Sequence, residues 1–290
     1  MKPSIALATA FLFLLAMPAQ AACELTIDPV TAVSRTYDPF SAVETQLPFR
    51  IVARNTGDQT CQADLFLKPD GGRLALAGPG GDLRYGFERP GGLLSGASMG
   101  PVRILVGPGE SSTTEFDAVI AAGAVIAPGS YASDIAFDVM EADGRTITDR
   151  KIALAATVSA RAQMSISGVS APSRSSIGQA PPTIDFGLLE TGETRSVFVN
   201  VWANTSVRVT LSSQNHGLLR AEAAPGAPGI GYSVTFDGAA VNLGGVAAVD
   251  RTPPMTSSGA SYPLAVTIGN VEGRYAGRYS DIITVTVDNS

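Results

Sequence analysis

The 290-residue chain predicts an all-β protein built from antiparallel sheets packed face to face. Three observations predict it. Apolar and polar residues alternate with a period of two in run after run, and each run is bounded by Gly, Pro, Asn or Asp. Those runs are filled with Val, Ile, Thr, Phe and Tyr, the side chains that suit a pleated, half-buried surface. Stripes of helical period with recognisable caps are lacking, while 31 Gly and 19 Pro supply turns at sandwich-like intervals. A hydrophobic content of 45% is enough for real cores.

Taken in order, the chain opens with Lys2, an apolar run over 5–17, and Pro18-Ala19-Gln20-Ala21, whose Ala-x-Ala ending suits signal peptidase. Residues 1–21 are therefore expected to direct export and to be removed. The run is shorter than the ~20 apolar residues a membrane-spanning helix needs. Exported into an oxidising compartment, Cys23 and Cys61, the only two cysteines, are expected to bond to each other. Strands are predicted near 24–28, 47–54, 60–67, 102–106, 113–120, 131–140 and 146–158. Between the third and fourth lies a Gly-rich stretch, 71–101, read as a long loop or loose hairpin. Its apolar residues Leu83, Tyr85, Phe87, Leu93, Leu94 and Met99 are many for a solvated excursion. Either they form an exposed contact surface or they pack beneath the loop.

A boundary is expected near 159–163, giving a first domain over 22–160 and a second over 161–290. In the second, strands are predicted near 163–169, 183–188, 196–203, 207–212, 231–236, 240–243, 262–268 and 279–287, with turns at Glu190-Thr191-Gly192-Glu193, Asp237-Gly238 and Gly269-Asn270.

One repeat links the halves. Gly129-Ser130-Tyr131 leads to Asp134-Ile135 and an alternating strand, and Gly277-Arg278-Tyr279 leads to Asp281-Ile282 and another. After the first copy comes the hairpin signal Asp143-Gly144 and a further strand to Val158; after the second come Asp288, Asn289 and Ser290. If the halves share a topology, the second lacks a closing strand and leaves a row of backbone groups beside an apolar groove, which invites a strand from another chain. The other possibility is a different, complete topology for the second half.

Composition excludes several kinds of chemistry. A net charge of −6, from 20 basic and 26 acidic residues, offers no surface for nucleic acid. A single histidine, His216, and two cysteines do not make up a His- or Cys-rich zinc site. Gly96-Ala97-Ser98-Met99-Gly100 matches G-x-S-x-G, but Pro101 and a predicted strand follow where a nucleophile elbow needs a helix, and His216 sits in the other half. Asp138, Glu141 and Asp143 cluster at a strand end and turn without an aromatic cleft. No calcium-type loop is present, so neither enzymatic activity nor a cofactor is expected.

The second half resembles the spore coat protein U domain found in subunits of archaic chaperone–usher pili. The resemblance is carried by Asp185-Phe186-Gly187, Gly192, Asn204, Ser212-Ser213, Asn215-His216-Gly217-Leu218, Tyr232 through Gly238, and Gly277 through Val287, and it covers roughly the last 110 residues. It implies an incomplete immunoglobulin-like domain, held first by a strand of a periplasmic pilus chaperone and then by the N-terminal extension of the adjacent pilin subunit at the outer-membrane usher. Cys23 stands almost at the expected mature N-terminus and leaves no extension to donate. The chain then looks like a tip subunit displayed at the cell surface, its first domain acting as an adhesin toward a surface or receptor. Alternation places Tyr279, Ile283, Val285 and Val287 on the groove side of the last strand, with Met164 and Ile166 across the gap. The alternatives are a secreted surface or coat protein with complete sandwiches, and a secreted carbohydrate-binding or hydrolytic sandwich protein.

Overall fold

The structure is a computed structural model describing residues 23–89, 92–94, 101–168, 177–178, 182–224 and 226–290; the export segment lies outside the described residues. The protein is all-β, with antiparallel sheets packed as immunoglobulin-like sandwiches. The first half contributes β1 (Leu25–Ile27), β2 (Val33–Tyr37), β3 (Thr45–Asn55), β4 (Cys61–Pro69), β5 (Ala75–Gly78), β6 (Gly81–Arg84), β7 (Gly86–Arg89), β8 (Gly92–Leu94), β9 (Val102–Val106), β10 (Ser111–Ile120), β11 (Gly129–Glu141) and β12 (Thr146–Val158). One sheet runs β1-β3-β10-β7-β8. The other runs β2-β12-β11-β4-β9, with the β5–β6 hairpin attached to β11.

The second half contributes β13 (Ala162–Ser167), β14 (Thr194–Ala203), β15 (Val207–Ser213), β16 (Leu218–Ala221), β17 (Ile230–Phe236), β18 (Ala239–Val241), β19 (Ala247–Arg251), β20 (Ala260–Ile268), β21 (Tyr279–Ser280) and β22 (Ile283–Asn289). Its larger sheet runs β13-β14-β20-β17-β16-β21 with β18 beside β17, and its smaller one runs β19-β15-β22. Strand pairing never crosses between the halves among the described residues, and the buried apolar side chains form one cluster in each. Alternation explains the cores: in β3 the side chains of Leu47, Phe49, Ile51 and Ala53 point inward while Gln46, Pro48, Arg50 and Arg54 point out.

At the junction, the buried side chain of Asn204 donates to the carbonyls of Ile126 (3.1 Å) and Ser159 (3.0 Å) and accepts from the Arg161 amide (2.8 Å). One amide thus ties the β14–β15 turn to the β10–β11 connection and to the chain between the halves.

The Gly-rich stretch is more ordered than a loop. Its β5–β6 hairpin lies flat on the ring of Tyr131: a Cβ placed on Gly78 would fall 2.4 Å from Tyr131 Cδ1, so only glycine permits this approach. Of the two alternatives for Leu83, Tyr85 and Phe87, an exposed adhesive surface or packing beneath the loop, the structure has the second, because all three are between 1% and 5% exposed, and as adhesive candidates they are corrected. Phe87 meets Phe49 and Tyr85 edge-on at 6.1 and 5.4 Å, and Phe49 stacks on Phe116 at 5.3 Å. The stretch closes the first core with its own aromatic residues. The side chains of Leu93 and Leu94, and Met99 with the rest of 95–100, lie outside the described residues.

Other departures have local causes. The predicted strand at 183–188 is irregular because Asp185 Oδ1 accepts the Gly187 amide at 2.9 Å, making an Asx turn with Gly187 at φ 63°. β2 was not anticipated. It pairs in parallel with β12 after the chain leaves the edge of β3 at Pro29, a connection that periodicity does not signal.

Candidate functional site

Seven strands of each half share one pairing order. β1, β3, β10 and β7 have the same pairing order as β13, β14, β20 and β17, and β9, β4 and β11 the same as β19, β15 and β22. The repeated tyrosines mark the equivalence: the Tyr131 hydroxyl donates to the Ala127 carbonyl at 2.7 Å and the Tyr279 hydroxyl to the Tyr275 carbonyl at 3.0 Å, each four residues upstream. This is the tyrosine corner of an immunoglobulin-like sandwich. The difference lies one strand further on. β11 is flanked by β4 on one side and β12 on the other, whereas β22 pairs with β15 alone among the described residues.

Register fixes what the bare edge of β22 presents. Ser290 donates its amide to the Ser206 carbonyl and Gln214 its amide to the Ile282 carbonyl, so Thr284, Thr286 and Asp288 make the main-chain bonds to β15. The N–H and C=O groups of Ile283, Val285 and Val287 therefore face away from β15. The same reasoning applies to β13. Asn204 donates its amide to the Arg161 carbonyl, so Gln163, Ser165 and Ser167 bond to β14, and the main-chain groups of Ala162, Met164 and Ile166 face outward.

These two bare edges belong to different sheets and approach each other along one side of the sandwich without pairing. Between them the core is thinly covered. In β11 the inward residues Ile135, Phe137 and Val139 are at most 1% exposed, but their counterparts on β22 include Val285 at 9% and the half-buried Ile283 and Val287. Met164 and Ile166 are likewise half-buried and pack against the second core. The groove thus combines an apolar floor with two rows of donors and acceptors that are unpaired among the described residues, the chemistry that an extended, alternating strand satisfies.

Five of the six residues expected to line this groove are therefore brought together: Met164, Ile166, Ile283, Val285 and Val287. Tyr279 is not among them. The alternation read through 279–287 breaks at Asp281 and Ile282, and Tyr279 sits on β21, paired with Ala221 of β16 at the far edge of the larger sheet. Asp281, which the repeat singles out but the expected groove lining omits, anchors the start of β22 with its carboxylate. Oδ2 accepts from Ser213 Oγ and the Tyr232 hydroxyl, both at 2.6 Å, and Oδ1 from the amides of Asn215 (3.0 Å) and Ile282 (2.8 Å). Burial, followed by the bond to this carboxylate, pushes the Tyr232 phenol well above the ordinary tyrosine range, so it stays a donor.

The expected disulfide is formed between Cys23 and Cys61. Cys61 is fully buried at the start of β4, and β1 begins two residues after Cys23, so the chain from residue 23 onward is committed to the first half's own sheet. The buried Glu141 lies against Cys23 and is bridged by Arg145 at 2.6 Å. Asp138 pairs with Lys68, and Asp143 accepts the Arg145 amide, so these carboxylates serve the strand end and its turn. His216 is exposed in a turn at φ 55°. Gly96 through Gly100 lies outside the described residues. A recess of about 490 Å³ also opens where the chain crosses from β1 to β2, between Pro29, Val33, Arg50 and Glu115.

No protein-family profile matches the chain, and no characterised protein matches it by sequence. Among solved structures it is similar to a chaperone–tip adhesion subunit complex of the archaic chaperone–usher Csu pili of Acinetobacter baumannii, at 14% identity, with 92% of this chain and 100% of that one covered and a TM-score of 0.48. It is also similar to the CupB6 tip adhesin of Pseudomonas aeruginosa, at 12% identity over 92% and 95% of the two chains, TM-score 0.36. A third is CfaE, the adhesive subunit of the CFA/I fimbria of enterotoxigenic Escherichia coli, at 11% identity over 85% and 74%, TM-score 0.37.

Proposed function

We propose that the protein is a non-enzymatic pilus subunit whose second half, residues 161–290, accepts a strand from another chain, and that it occupies the fibre tip with its first half, residues 22–160, as the adhesive part. The single observation that carries this reading is the pair of facing edges, β13 and β22, each bare among the described residues, over a half-covered apolar floor. An incoming strand that buries four or five aliphatic side chains there gains ~1.5–3 kcal/mol from each, in addition to main-chain bonds. Such a joint holds under load without covalent chemistry. The resemblance of the second half to pilus domains supplies the partners in turn: a periplasmic chaperone, the outer-membrane usher and the neighbouring subunit. The tip position is supported by the disulfide, which holds residue 23 against β4 and leaves nothing from there on to reach a neighbour.

The test uses the full exported chain and a synthetic peptide of alternating Val or Ile and Thr, long enough to lie along Ile283–Asn289. The chain alone is expected to aggregate or unfold at low temperature through its second half, and the peptide to bind tightly and raise the transition. A chain that is stable alone and indifferent to the peptide would contradict the reading and favour a complete surface or coat sandwich.

A further inference from the structure

The repeated motif carries an aspartate in both halves, but the two aspartates do different work. Asp134 of the first copy is exposed and, among the described residues, its carboxylate meets Lys151 alone, at 4.0 Å, on a strand already bonded on both sides. Asp281 of the second copy gathers four donors on its carboxylate: one is the adjacent Ile282 amide, and the other three come from Ser213 at the end of β15, Asn215 in the following turn, and Tyr232 on β17. β17 belongs to the larger sheet and β22 to the smaller. The Tyr232–Asp281 bond therefore crosses the sandwich at the end of the groove farthest from the first half. Ser213 Oγ in turn accepts the Gly217 amide at 2.7 Å, fixing the turn beneath it. At the other end of β22, Asn289 Nδ2 donates to the Ala160 carbonyl at 3.1 Å. The strand is thus held at both ends while its middle has one neighbour among the described residues.

We infer that Asp281 is a positioning residue that keeps the groove receptive: with Tyr232 and Ser213 it staples β22 in register before a partner strand arrives, so that binding need not order it. This rests on the strand-accepting reading above. A strand with one flanking neighbour frays more readily than one with two, and any disorder in it must be removed when the partner docks, at the expense of affinity. A carboxylate with all its donors in place is a strong local tether.

The experiment measures binding of the same alternating peptide to the parent chain and to Tyr232→Phe, Ser213→Ala and Asp281→Asn, together with the association rate and the melting of each complex. Tyr232→Phe removes one hydrogen bond at constant shape. It is expected to weaken binding about tenfold, mostly through slower association, while the melting of the first half is unchanged. Asp281→Asn, which keeps acceptor capacity at one oxygen only, is expected to weaken it further. Tyr232→Phe and Ser213→Ala chains that fold and bind at the parent's rate and affinity would overturn the staple and leave the groove standing. A parent chain that does not bind the peptide would overturn the strand-accepting reading instead.

Discussion

Tyr85 shows how local chemistry in this protein is settled by packing. Its ring completes an aromatic group with Phe87, and its hydroxyl is buried with no hydrogen-bond partner among the described residues. An unsatisfied buried hydroxyl is destabilising, and burial alone pushes this phenol up to about 12. The sign follows directly. The folded value lies above the ordinary value near 10, so Tyr85 imposes no pH-dependent loss below about pH 10, and stability falls as pH rises from there toward about 12. Tyr85→Phe is expected to be neutral or stabilising by up to about 1 kcal/mol near neutrality. It should also blunt the alkaline loss, as read by denaturant unfolding at neutral and alkaline pH. A variant less stable than the parent at neutral pH would show that the hydroxyl has a partner. From sequence Tyr85 is one apolar residue in a Gly-rich stretch, and nothing in its neighbours distinguishes an exposed finger from a core ring.

At the scale of elements, what was legible followed from alternation, and what was missed followed from glycine and from breaks in period. β3, β10, β11 and β12 are long and alternate over most of their length, and each falls within a residue or two of its expected span or extends it at the ends. β5 and β6 are four residues each and rich in Gly, so their pairing is encoded by what they lie on rather than by their own pattern. The fit of Gly78 against Tyr131 makes this testable. Gly78→Ala forces the hairpin off the ring and is expected to cost about 1–3 kcal/mol, while Gly86→Ala, with open space around its Cβ position, should cost less. Equal effects at the two positions would mean that the hairpin does not rest on Tyr131. The groove was legible for the same reason as the long strands. Met164, Ile166, Ile283, Val285 and Val287 keep one phase, whereas Tyr279 is separated from them by Asp281, whose bonds to Ser213, Asn215 and Tyr232 come from residues distant in sequence.

At the scale of the whole molecule, one sandwich closed by its own backbone is joined to another that, among the described residues, is not. The first half has β12 lying along the length of β11, and its disulfide pins residue 23 against the same sheet. The second keeps the same order up to β22 and presents the free groups of that strand beside those of β13. Asn204 joins the two, so a strand bound beside β22 would sit in a body that is hydrogen-bonded to the first half rather than tethered by a loose linker. The measurement that tests the open groove most directly is amide hydrogen exchange along β22 in the partner-free chain, repeated with the alternating peptide. Slow exchange at Thr284 and Thr286, fast exchange at Ile283, Val285 and Val287, and protection of the latter three once the peptide binds are the expected result. Uniform protection of Ile283, Val285 and Val287 without any partner would contradict it.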